Sequence, residues 1–314
     1  MTDKEINSDS RTPSPESRIP NTDFRVGYVA IIGKPNVGKS TLMNSLLGAK
    51  LSIVTPKPQT TRRRILGIKT GEDHQVIFLD TPGLLEPKYL LQKTMVQSVQ
   101  ESMGMADLIV WMADAASMTE QDTKIFELLK SIKQRKIAVI NKVDLVEKGS
   151  LLPLIERLYG LALFEEIVPV SALKNDGLDR LFSLIQSRLP HGEPVYPPDV
   201  MSDEPERFFV SEIIRESVFM LYKEEIPYAT TVQVEEFLER PGKKDYIRAV
   251  IFVEQDSQKG ILIGKGGLAL KRVGQKSRAA IEAFLERPVF LELFVKVKPK
   301  WRSEPGAMRE FGYA

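Results

Sequence analysis

The sequence predicts two domains in series: an α/β domain built on a mixed, mainly parallel sheet, then a smaller α+β domain. Three observations carry this. From residue 24 to 189, short apolar runs alternate with stretches of helical periodicity, the pattern of strands wrapped by helices. A glycine loop, Gly33-Lys34-Pro35-Asn36-Val37-Gly38-Lys39-Ser40, separates the first such run from the first helix. At residues 190–198 the order breaks in a segment dense in Pro and Gly, and helix, strands, helical sequence and a last strand follow.

The chain has 314 residues, 42% of them hydrophobic, enough for two cores. Its longest apolar run, near 108–116, is strand-like and far short of a bilayer span. Cysteine is missing, which excludes disulfides, thiolate catalysis and Cys-ligated zinc. Only His74 and His191 offer imidazole, so no transition-metal site is expected. A cytoplasmic setting is the expectation that follows. A net charge of +2 says little about partners, so the places where positive residues cluster matter more.

Residues 1–23, rich in Ser, Pro, Asn, Asp and Glu, are expected to form a disordered tail. Strands are expected over 28–32, 64–69, 75–80, 108–114, 137–141 and 167–171, with helices starting near Lys39, Leu90, Glu120, Ser150 and Leu178. In such sheets ligands sit beyond the carboxyl ends of the strands, so the residues there are read as chemistry.

The glycine loop fills every fixed position of G-x-x-x-x-G-K-[ST], with a strand before it and a helix after it. Gly33 and Gly38 let the backbone through Lys34, Pro35, Asn36 and Val37 curl so that N–H groups converge on an anion. Lys39 can reach the outer phosphates, and the Ser40 hydroxyl can ligate magnesium. The third strand ends in Asp80-Thr81-Pro82-Gly83: a carboxylate for the magnesium shell, and a glycine whose N–H can approach a terminal phosphate. The fifth ends in Asn141-Lys142-Val143-Asp144. A carboxylate accepts from the paired N1–H and N2 donors of guanine, and adenine has no such pair, so Asp144 is the base selector. Asn141 either reads the other edge of the base or ties loops together, and the Lys142 stem can cover the base plane. The backbone of Ser171-Ala172-Leu173 can abut it.

Residues 190–205 are expected to be an extended, semi-stiff linker that holds two domains apart. The second domain, 206–302, begins with a helix at 208–223, then strands at 230–240 and 246–254. Helical sequence at 268–286, interrupted near Gly274, and a strand at 290–297 complete it. Its chemical centre is Gly264-Lys265-Gly266-Gly267, whose glycines permit a backbone close enough to clamp a phosphate chain. From 257 to 281 there are six Lys or Arg residues, including Lys271, Arg272 and Lys276, and no acid. Lys296, Lys298, Lys300 and Arg302 continue this footprint on alternate residues, and Trp301 among them can stack on a base. Residues 303–314 fall outside the pattern as a tail.

Taken in order, the motifs Gly33 to Ser40, Asp80 to Gly83, Asn141 to Asp144 and Ser171-Ala172-Leu173 resemble the GTPase series of the Ras-like superclass. The second domain resembles the type II KH fold. Between the first two motifs, Pro58-Gln59-Thr60-Thr61-Arg62-Arg63 is similar to switch I of the Era family, and both halves together resemble that family. The resemblance implies a P-loop GTPase domain with a C-terminal KH domain, cleaving GTP to GDP and phosphate. It implies catalytic roles for Lys39, Thr61 and Gly83 and a magnesium ion held by Ser40, Asp80 and a switch threonine, Thr61 being favoured over Thr60. It also implies binding near the 3′ end of 16S ribosomal RNA, a part in assembling the 30S subunit, and peripheral association with the cytoplasmic face of the inner membrane. A monomer is expected. One departure matters: Leu84 stands where Ras-like enzymes present a water-positioning glutamine. Related GTPases with Pro-Asn in the phosphate loop hold potassium with that asparagine; Asn36 either does so or only shapes the loop. Two rivals stay open: an RNA-binding protein that senses nucleotide with negligible turnover, and a GTPase acting on another RNA.

Overall fold

Runs of Val, Ile and Leu form the first sheet of the computed structural model, which describes residues 23–117 and 120–313. The tail expected over 1–23 lies, but for Asp23, outside the described residues. The first domain runs β1 (Arg25–Gly33), α1 (Lys39–Leu47), β2 (Ile65–Thr70), β3 (His74–Asp80), α2 (Leu90–Met105) and β4 (Leu108–Asp114). It continues through α3 (Glu120–Lys130), β5 (Arg135–Asn141), α4 (Lys148–Tyr159), β6 (Glu166–Pro169) and α5 (Leu178–Arg188). Strand order is β2-β3-β1-β4-β5-β6, and β2 alone is antiparallel to its neighbour. Side chains alternate across β1, so Val29 and Ile31 share a core with Leu42 of α1 and Leu181 of α5. Ala30 and Ile32 face Val99 of α2 and Leu129 of α3. Burial on both faces is why these strands read as unbroken apolar runs. The last expected strand stops early, at Pro169, and Ser171 turns back to bridge Asp176.

The second domain runs α6 (Glu206–Leu221), α7 (Ile226–Ala229), β7 (Thr231–Leu238), β8 (Asp245–Val253), α8 (Asp256–Ile263), α9 (Leu268–Leu285), β9 (Val289–Val297) and α10 (Pro305–Glu310). β7 is antiparallel and β9 parallel to the central β8. Ile214 and Val218 of α6 and Val273 and Ile281 of α9 pack on Ile247, Ile251 and Val295 of the sheet. Gly274 does not interrupt α9. It sits inside a continuous helix of 18 residues whose other members are mostly good helix formers, enough to absorb its cost of ~1 kcal/mol. The break falls instead at Gly264 to Gly267, after α8, which a reciprocal capping box of Gln255 and Gln258 opens.

Two further expectations are corrected where the domains meet. The linker is no free spacer: the Gln75 side chain accepts from Val195 and Tyr196 at 2.8 and 2.9 Å, and Met201 O accepts from Ile68 N at 2.8 Å. Met201 O thereby takes up an N–H on the open edge of β2. Nor are the domains held apart, since Phe209 of α6 is buried in the core that contains Leu46 and Leu51. Residues 303–313 are not a tail. Met308 and Tyr313 join Trp301 in a cluster with Leu91 and Met95 of α2. A short apolar segment gains a partner only once α2 lies beside it, which the linear pattern does not show.

Candidate nucleotide site and RNA groove

The phosphate loop leaves β1 and enters α1 at the carboxyl edge of the sheet, between the ends of β3 and β4, with the end of β5 one strand further. Gly38 has φ 100, and a Cβ there would lie 2.3 Å from Asn141 Nδ2. At Gly83 a Cβ would lie 2.6 Å from the backbone nitrogen of Pro35. Both glycines are therefore required by close approach. Lys39 is buried, its Nζ donating to Gly33 O at 3.2 Å and Lys34 O at 2.9 Å. Burial pulls its pKa down to about 8, against the opposing pull of Asp80. The Lys34 side chain turns away, donating to Asp122 Oδ2 at 2.7 Å and Ser117 O at 2.8 Å, so its backbone is what it offers the loop.

The residues expected to hold magnesium converge. Ser40 Oγ donates to Asp80 Oδ2 at 2.7 Å and lies 2.9 Å from Thr61 Oγ1. Thr60 turns elsewhere, to Thr55 Oγ1 at 2.6 Å and Lys57 O at 2.7 Å. Asp80 Oδ1 is buried with no hydrogen-bond partner. Burial pushes the Asp80 pKa up, while the Ser40 hydroxyl and Lys39 work the other way. An orphaned carboxylate oxygen beside two hydroxyls fits a hard cation. Among the described residues no group of three His, Cys, Asp or Glu gathers, and here the two hydroxyls and Asp80 would hold such a cation.

A cavity of about 410 Å³ joins this trio to the residues expected to read the base, lined by Asn36, Lys39, Thr61, Gly83, Asp144 and Leu173 among others. Asn141 ties loops together: Nδ2 donates to Val37 O at 2.8 Å, and Oδ1 accepts from Ala172 N at 2.9 Å. In this structure its amide is engaged with protein on both sides. Asp144 is exposed, with Ser171 Oγ donating to it at 2.6 Å. Lys142 has φ 65 and pairs with Asp114 at 2.7 Å, which fixes its stem along the cavity wall. Asn36 donates to Pro56 O at 3.0 Å. The Thr81 hydroxyl donates to Ile31 O at 2.7 Å inside the fold, and Pro82 is buried beside it, so neither side chain faces the cavity. Leu84 packs into the core with Val99 and Met103.

In the second domain, Gly264, Gly266 and Gly267 have φ of 69, 59 and 77, and Lys265, Lys271, Arg272 and Lys276 are exposed nearby. A groove of about 330 Å³ runs from Gly267 along Lys271, Gly274 and Arg278 of α9 to Leu291 and Leu293 of β9. Gln275 and the two leucines were not expected in the groove, whereas Arg278 is one of the six cations of the footprint. The helical spacing 267, 271, 274, 278 is the signal that finds the α9 wall, but the β9 wall needs the fold. Arg272 and Lys276 lie on the adjoining strip of the helix. The residues after β9 require correction. Trp301 is fully buried, its Nε1 donating to Ala229 O at 2.8 Å and its ring stacked on Tyr313, so it offers no face to a base. Lys298 pairs with Glu310 at 2.9 Å and Arg302 with Glu254, with the Arg302 guanidinium over the Tyr89 ring. The chain leaves the strand at Val297, so the alternation that aligned these cations in sequence ends before it reaches them.

The fold and these two clefts define a P-loop GTPase joined to a KH domain. A family model described as 50S ribosome-binding GTPase matches residues 28–142, and one described as KH domain matches 225–302. The chain is 47% identical over 291 residues to the GTPase Era of Geotalea uraniireducens, covering 92% of this chain and 98% of that one. It superposes on a substituted form of Aquifex aeolicus Era bound to GDP.AlF4- with a TM-score of 0.90 and 44% identity, over 93% of this chain and 100% of that one. A structure of Era in complex with MgGDPNP and nucleotides 1506–1542 of 16S ribosomal RNA matches with the same TM-score, 0.90, and 44% identity, over 93% and 99%. The chain belongs to the Era family of GTPases.

Proposed function

We propose that this protein is a GTP-hydrolysing switch that grips the 3′ region of 16S ribosomal RNA and assists assembly of the 30S subunit. The observation that carries the nucleotide half is the convergence of Ser40, Thr61 and the unpartnered Asp80 Oδ1 beneath a cavity that ends at Asp144. A relative crystallised with both a magnesium nucleotide and this RNA supports the RNA half.

The loop backbone and Lys39 bind and orient the phosphates, Gly83 offers its N–H to the terminal one, and Asp144 selects guanine over adenine. Ser40 and Thr61 would hold the magnesium, with Asp80 behind them; when bound, it neutralises charge developing on the β- and γ-oxygens. In hydrolysis a water oxygen bonds to the γ-phosphorus as the bond to the β–γ bridging oxygen breaks, leaving GDP and phosphate. Leu84 is committed to the core and does not orient that water. Asn36 lies at the loop rim, where a potassium ion would supply the missing positive charge. The Gly264 to Gly267 loop, with Lys265, Lys271, Arg272 and Lys276, clamps single-stranded RNA. Action as a cytoplasmic monomer and peripheral membrane contact complete the reading, the last checked by vesicle co-sedimentation. Among the described residues no helix is long and apolar enough to cross a membrane.

Multiple-turnover phosphate release, in potassium and in sodium, with and without the 16S 3′ oligonucleotide, tests the enzymatic half. Turnover stimulated by potassium is expected. Equal rates in the two salts remove the potassium role, and no turnover under any condition favours the rival suggested by Leu84, a nucleotide sensor. Crosslinking from position 265 to ribosomal RNA tests the other half; capture of a different RNA overturns the assignment of target.

A further inference from the structure

Arg62 follows Thr61 in sequence, yet its guanidinium lies in the KH domain. Nη1 donates to Thr230 O at 2.6 Å, and Nη2 donates to Pro227 O and Tyr228 O at 3.0 Å each. These carbonyls lie at and just beyond the end of α7, where helical partners run out. The Phe219 and Trp301 rings flank the guanidinium at 5.6 and 5.7 Å. Arg62 is 3% exposed and has carbonyls, not carboxylates, as hydrogen-bond partners. A charge buried in this way contributes geometry more than stability.

Arg215 of α6 reaches in the opposite direction. Glu212 holds its guanidinium, and Nη2 donates to Thr60 O at 2.5 Å. The next residue, Glu216, accepts from Val54 N at 3.0 Å, and Lys57 Nζ donates to the carbonyls of Phe219 and Tyr222. Both neighbours of Thr61 are thus tied to the KH domain while its own hydroxyl lies 2.9 Å from Ser40 Oγ. Thr61 is tethered on both sides, through the Thr60 carbonyl and through the Arg62 side chain.

We propose that Arg62 and Arg215 are positioning residues for GTP hydrolysis, making the seating of Thr61 and the docking of the KH domain on the 54–62 loop one equilibrium. Movement of α6 or α7 then alters the preference for triphosphate, and triphosphate alters the KH pose by the same factor. The inference rests on Thr61 acting at the metal, as proposed above.

The test uses the full chain and two affinities, for Mg·GDP and for magnesium with a non-hydrolysable GTP analogue, in Thr61→Ala, Arg62→Lys, Arg215→Lys, Lys57→Met and the doubles with Thr61→Ala. Arg62→Lys and Arg215→Lys keep charge but lose the fork, and should lower the analogue-to-GDP ratio about 10-fold with GDP affinity retained. Lys57→Met, a milder change should either arginine variant fail to fold, should lower the same ratio about 3-fold. In the Thr61→Ala background none should lower it further, because they act through that hydroxyl. Equal loss of both affinities, the signature of a merely structural role, overturns the inference, as does an unchanged ratio in variants where Thr61→Ala alone lowers it. If Thr61→Ala itself leaves the ratio unchanged, the underlying metal role fails and the inference falls with it.

Discussion

The two glycine loops of this molecule are built on opposite terms. In the first, a Cβ at Gly33 or Gly38 would strike Met112 O or Asn141 Nδ2, each at 2.3 Å. In the second, a Cβ at Gly264 would strike Ala269 Cβ at 2.6 Å, but at Gly266 or Gly267 it would meet nothing within 4 Å, and only φ of 59 and 77 asks for glycine there. The nucleotide loop is jammed between strand ends and moulded to one compact anion. The KH loop stands open beside a groove, as a polymer that passes through requires. Selectivity in the first therefore lives in the loop and its neighbours, and in the second along the walls of α9 and β9.

Substitutions that separate these terms test the contrast. The largest effect is expected from Gly38→Ala, where strain and collision combine to lower nucleotide affinity roughly 1000-fold in a fluorescent-nucleotide titration. Near wild-type binding would break the contrast. Trp301→Ala should cost about 3 kcal/mol or more in denaturant unfolding, because it empties a buried site at the domain junction. A loss of RNA affinity without loss of stability would return Trp301 to the groove. Asp144→Asn should move preference from GTP toward xanthosine triphosphate by about 100-fold, since the donor pair of guanine loses its carboxylate. Unchanged GTP affinity would remove Asp144 as selector. Gly266→Asp, in open space, should weaken RNA about 10-fold through its charge and leave GDP affinity intact; a joint fall would indicate unfolding instead.

The smallest effect concerns Lys39. Its folded pKa of about 8 lies below the ordinary 10.5, so between those values the nucleotide-free ammonium has lost its proton and phosphate binding restores it. Proton uptake of up to about one per nucleotide is expected at about pH 9 and little well below 8, measured as buffer-dependent binding heat in EDTA. Heats independent of buffer at the higher pH would contradict it.

How much was legible in the sequence follows from which contacts are local. The phosphate loop, Asp80, Asn141 and Asp144 stand at strand ends marked by apolar runs, and the sheet edge gathers them without further information. The switch motif favours Thr61 over Thr60, but where each hydroxyl turns, Thr61 toward Ser40 and Thr60 toward Thr55, is visible only in the fold. Trp301, Lys298 and Arg302 read as RNA contacts because alternation was assumed to continue past Val297, whereas α10 and α2 enclose that segment. Arg62 went unread for a related reason: in sequence it is a polar loop residue, and its partners lie 165 to 168 positions away.

The central claim is that bound nucleotide sets how firmly the KH groove holds RNA. The most direct measurement is the anisotropy-derived affinity of the intact chain for a 16S 3′-end oligonucleotide in three states: empty, with GDP, and with a non-hydrolysable GTP analogue and magnesium. Binding about 10-fold tighter with the analogue than with GDP is the expected result. The same affinity in all three states would contradict the claim.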